Sequence, residues 1–114
     1  MNHTILKFEG KEYKAKFGLA VIGKTVKDLD LDLQQFFKIL LENMPLVAPV
    51  LVFNSLKKGN PEEDLTLEQV ENMIDEDGGL FSSQLIKFID AFTASITTEE
   101  QTKVQGKKKA PEKK

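Results

Sequence analysis

The 114-residue chain has no cysteine, no tryptophan, no arginine and a single histidine. Without thiols it has no disulfide, no thiol nucleophile and no thiolate metal site. His3 is its one imidazole and sits next to the terminus, so a nucleophile activated by a well-held imidazole is not available either. The absence of arginine removes the planar fork that phosphate and guanine recognition favours. No apolar run approaches the roughly 18 to 20 residues that cross a bilayer. The polar start Met1-Asn2-His3-Thr4 lacks a secretory apolar segment. These absences lead us to expect a cytoplasmic, non-enzymatic protein with no cofactor and no membrane partner.

What is present suits one small domain. Hydrophobic residues make up 40% of the chain, with 8 Phe, against 30% charged residues and a mean hydropathy of -0.29. A chain of this size buries only about 60 to 70% of its unfolded surface, enough for one core. The net charge of -2 hides an asymmetry: residues 1–102 hold 10 Lys against 17 Asp and Glu, hence -7, and residues 103–114 hold 6 Lys against Glu112, hence +5. An acidic body argues against a specific nucleic-acid surface, which wants basic residues on a groove-facing element.

Along the chain, 4–8 and 11–17 alternate apolar and polar residues around Glu9-Gly10, the pattern of a β-hairpin over 4–17. A two-stranded ribbon is marginal alone, so its apolar face must pack on helices. A short helix is expected over 19–25. Asp28, Asp30 and Asp32 offer N-caps for a helix over 31–43, in which Leu33, Phe36, Phe37, Leu40 and Leu41 form an apolar stripe. The most apolar stretch predicts a helix over 46–58, with Pro49 near its first turn and Lys57-Lys58-Gly59 as its stop. Thr66 and Gln69 have capping-box spacing for a helix over 66–75. After Gly78-Gly79, a last helix over 80–96 aligns Phe81, Leu85, Phe88, Ile89, Phe92 and Ile96. Residues 1–97 thus read as one domain of α+β class, mainly α, and 98–114 as a flexible basic tail with too little apolar surface to order it.

Two motifs invite chemistry. Gly18-Leu-Ala-Val-Ile-Gly23-Lys24-Thr25 matches the phosphate-binding pattern G-x-x-x-x-G-K-[ST], in which backbone N–H groups wrap phosphates and the lysine neutralises them. Its four middle residues are all apolar, better suited to a helix face than to a solvated loop, and no parallel sheet or apolar strand ending in Asp follows. A nucleotide-binding protein using Gly18, Gly23, Lys24 and Thr25 is therefore the alternative rather than the first choice. Asp75-Glu-Asp-Gly-Gly79 has the look of a calcium loop but lacks the fifth-position oxygen ligand, and is expected to be an acidic turn between helices.

Taken in order, Leu6-Lys-Phe-Glu-Gly-Lys-Glu-Tyr-Lys-Ala-Lys-Phe-Gly18, the block Asp32 to Leu56, and Asp64-Leu-Thr-Leu-Glu-Gln-Val-Glu-Asn-Met-Ile-Asp75 with a helix after it resemble the tail assembly chaperones of long-tailed phages and prophages of Gram-positive bacteria. The resemblance spans about residues 4–96 and lies in order, spacing and length rather than in one motif. It implies a non-catalytic, mostly helical chaperone that coats the tape measure protein, recruits tail tube subunits and is absent from the finished virion, with self-association as a further expectation. Many members are also made in a longer, frameshifted form. Gly106-Lys107-Lys108 is compatible with a slippery codon run, which would fit that property. Partner contacts are expected from Leu46, Val47, Val50 and Phe53, with Phe88 and Phe92 on the last helix.

Overall fold

The structure, a computed structural model, describes the backbone of residues 3–108, and the side chains of that span except 45, 46 and 97–108. It opens with an antiparallel hairpin, β1 (His3–Phe8) and β2 (Lys11–Lys16), in the register Leu6 to Tyr13 and Thr4 to Ala15. Glu9 and Gly10 both take positive φ, 54° and 81°, the tight two-residue turn whose twist matches that of the strands. Leu6, Phe8, Tyr13 and Ala15 are buried, so both strands commit the same hairpin face to the interior.

Five α-helices follow among the described residues: α1 (Leu19–Asp28), α2 (Leu33–Glu42), α3 (Met44–Gly59), α4 (Leu67–Glu76) and α5 (Ser83–Lys108). The expected α+β, mainly helical class is the observed one. Of the three candidate aspartates only Asp32 caps α2. Its carboxylate accepts from Gln35 N–H at 2.7 Å while the Gln35 amide oxygen accepts from Asp32 N–H at 2.9 Å. Thr66 and Gln69 form the same reciprocal pair at the start of α4. Pro45, not Pro49, occupies the first turn of α3; Pro49 lies inside the helix. Helical backbone continues past the expected end at 96 as far as Lys108, over part of the stretch expected to be a flexible tail; the side chains of 97–108 and all of 109–114 lie outside the described residues.

Helix α3 is the centre of the domain. It packs against β2, α1, α2, α4 and α5, and Val47, Ala48, Leu51, Val52 and Leu56 are all buried. A helix apolar nearly all round must be surrounded, and here it is surrounded by its own chain. Its C-terminal end meets β2 closely: a Cβ on Gly59 would overlap the Lys14 carbonyl oxygen and come within 2.8 Å of the carbonyl carbon. Next to it the Asn60 amide donates to Lys14 C=O at 2.9 Å and accepts from Lys14 N–H at 3.3 Å, a side chain acting as a short stretch of neighbouring strand.

Between α4 and α5 the chain turns through Gly78, at φ 118°, and a 3-10 turn (Gly79–Phe81). Leu85, Phe88 and Phe92 of α5 then enter the core, with Ile89 and Ile96 half-buried beside it. Phe81 does not join that stripe. It belongs to the 3-10 turn ahead of the helix, so the 100° spacing does not reach it, and it is 85% exposed.

Candidate functional site

The residues expected to meet a partner are mostly interior. Val47, Phe88 and Phe92 are fully or almost fully buried. Phe88 and Phe92 stack with centroids 6.0 Å apart, and Phe17 stands edge-on to each at 5.7 Å. These three rings tie the hairpin exit to α5. Val50 and Phe53 are half-buried, Phe53 against the core. The Leu46 side chain lies outside the described residues. In this conformation Val47, Phe88 and Phe92 hold the domain together rather than face a partner, a correction to the expectation: their apolar demand is met inside the chain.

The phosphate-loop look-alike is helical. Gly18 precedes α1 at φ 131°, a conformation open to glycine, and Gly23 lies within the helix with no heavy atom near a would-be Cβ. Thr25 is buried. Its hydroxyl donates to Val21 C=O at 2.8 Å and accepts from Asn54 Nδ2 at 3.0 Å, and Asn54 also donates to Asp28 at 3.2 Å. Lys24 pairs with Asp28 at 2.8 Å, which together with the Asn54 bond holds the Asp28 carboxyl below the usual carboxylate range. The hydroxyl and the ammonium of the motif therefore latch α1 to itself and to α3. From Ile22 N–H to Gly18 C=O at 3.1 Å onward the backbone N–H groups are spent within the helix, so the segment is not a loop that wraps phosphates with successive N–H groups.

The acidic turn is likewise structural. Asp77 accepts from Ser82 Oγ at 2.5 Å and from Gln84 N–H at 3.1 Å, bonds that lower its pKa. Ser82 in turn accepts from Leu85 N–H at 3.1 Å, capping α5. No group of His, Asp and Glu that would hold a metal ion occurs among the described residues.

Among the described residues, two shallow grooves flank the core. One of about 470 Å³ lies between the hairpin turn and α4 and is acidic, lined by Glu9, Glu63, Asp64 and Glu76 around Tyr13 and Met73. There Glu9 raises the pKa of Glu76, and Lys11 pairs with Glu63 at 2.9 Å. The other, about 280 Å³ between α1 and α3, carries Lys24, Lys57 and Lys58.

The surface most unlike an ordinary soluble exterior is on α2. Phe36 and Leu40 are buried toward α3, but Leu33 and Leu41 are 52% and 83% exposed and Phe37 between them is half-buried. The expected five-residue stripe therefore splits into an inner pair and an outer row. Leu80 and Phe81, on the 3-10 turn, form a second exposed apolar pair. The sequence did hold a signal for the outer row: six apolar positions in ten residues exceed what one helix face can bury against a single neighbour. No single described helix is long and apolar enough to cross a membrane.

Comparison of the chain with protein-family models, with curated proteins and with solved structures finds no match.

Proposed function

We propose that the protein is a non-enzymatic phage tail assembly chaperone, which binds the tape measure protein, keeps it soluble, recruits tail tube subunits during tail morphogenesis and is left out of the mature virion. The observation that carries this is the outer row of α2: Leu33 and Leu41 exposed on one helix face, with half-buried Phe37 between them, on an acidic, largely helical body. Singly exposed leucines are ordinary, but two on one helix face, joined by a partly exposed phenylalanine, suit a surface that meets another apolar surface. A long helical tape measure has the matching need, because its apolar stripe stands uncovered until tube subunits enclose it. The order and spacing of the segments resembling that chaperone family add to the case.

Co-expression tests the assignment. A tape measure protein is expected to move from the pellet to the soluble fraction when the chain is present, and to co-purify with it. Equal insolubility with and without the chain would count against the proposal.

A further inference from the structure

We infer that α2 carries a docking ridge for an amphipathic partner helix whose apolar face is flanked by basic residues. This deepens the chaperone reading and rests on it for the partner's biological setting, not for its chemistry. Leu33, Phe37 and Leu41 are spaced by four, so they form one continuous i±4 ridge, the element that interleaves with a second helix in the commonest packing class. The ridge is about 12 Å long at 1.5 Å per residue, which matches roughly two turns of a partner presenting apolar anchors at i, i+3 or i+4, and i+7. Its foundation is firm: Phe36 and Leu40, on the adjoining strip of the same face, anchor α2 against α3, Phe37 packs partly on the core beside them, and the Asp32–Gln35 capping box fixes the start of the helix.

Charge selects the occupant. Asp30 and Asp32 stand at one end of the ridge and Glu42 at the other, with Lys38 as the lone base on the helix. A second copy fits badly. Symmetric antiparallel pairing about Phe37 sets Asp32 of each copy opposite Glu42 of the other, and parallel pairing sets each acid against itself. The chain's own basic end, residues 103–114, has the lysines but only Val104 as a large apolar residue, so it has no face to lay on the ridge. A separate helix with an apolar stripe and lysine or arginine flanks satisfies both the ridge and its ends.

Two synthetic 18-residue helical peptides, identical in their leucine face and flanked by Lys in one and Glu in the other, test this by fluorescence anisotropy with the full chain. At low salt the Lys-flanked peptide is expected to bind at least tenfold more tightly, and the preference to shrink as salt rises. Leu33→Ser with Leu41→Ser, neutral changes at exposed positions, should weaken its binding at least tenfold while leaving the thermal melt nearly unchanged. Asp30→Asn with Glu42→Gln keeps the ridge and should narrow the preference between the peptides. Undiminished binding by the serine variant, or preference for the Glu-flanked peptide, overturns the inference. So does sedimentation showing a wild-type dimer that Leu41→Ser dissociates, since the ridge then belongs to a second copy. The two proposals fail separately. A tape measure that the serine variant still solubilises removes the ridge and keeps the chaperone. A tape measure that the wild type cannot solubilise, beside peptide binding as expected, removes the chaperone and keeps the ridge.

Discussion

Glycine to alanine should have opposite signs at two helical positions, Gly23 and Gly59. At Gly23 a methyl group meets nothing within 4 Å and the backbone is helical, so Gly23→Ala removes unfolded-chain entropy and is expected to stabilise by about 0.5 to 1 kcal/mol. At Gly59 the same methyl lands on the Lys14 carbonyl, 2.8 Å from its carbon, and both obstacles are backbone. The end of α3 and β2 must separate by about an ångström or more, and Asn60 then loses its paired hydrogen bonds to Lys14. Overpacking of that kind costs about 1 to 3 kcal/mol, and weakening the two hydrogen bonds adds about 1 kcal/mol. Alanine's helix preference offsets less than about 1 kcal/mol at a terminal position. The expected net for Gly59→Ala is a loss of about 2 to 3 kcal/mol, or roughly 8 to 20 °C in Tm for a domain of this size. Urea titration followed by circular dichroism at 222 nm measures both variants. Gly59→Ala equal to or more stable than wild type would refute the close approach of α3 to β2. Loss of stability in Gly23→Ala would refute the free helical setting of that residue.

Ser82→Ala removes both the α5 cap and the donor to Asp77, and is expected to cost about 1 to 2 kcal/mol in the same titration. Phe88→Ala takes a ring from the centre of the core and should cost about 3 to 5 kcal/mol, visible as loss of cooperative unfolding. Asp28, bonded to Lys24 and Asn54, and Asp77, bonded to Ser82 and Gln84, both have folded pKa values below their unfolded ones. The unfolded chain therefore binds more protons as pH falls, so their contribution is complete above pH about 4 to 5 and is lost as pH drops through the lowered folded values. Urea midpoints should decline from pH 5 to pH 3, and Asp77→Asn should flatten part of that decline. Glu76→Gln relieves the carboxylate facing Glu9 and should raise the thermal midpoint slightly at pH 7, a gain that fades as falling pH protonates Glu76 in the wild type.

Local chemistry was legible in the residues alone. The Glu9-Gly10 turn, the Thr66–Gln69 cap and the helical fate of Leu-Ala-Val-Ile all follow from interactions within a few positions, which no distant contact has to create. Which apolar faces end up inside was not legible, because burial depends on how many neighbours an element acquires. Helix α3, by its apolarity, had either to be buried or to meet a partner, and α1, α2, α4, α5 and the hairpin close around it. Helix α2, with an ordinary stripe, packs chiefly on α3 and is left with Leu33 and Leu41 outside. Phe81 had the correct spacing for α5, but the 3-10 turn before Ser82 shifts it out of phase. Spacing decides which residues share a face; only the assembled neighbours decide whether that face meets protein or water.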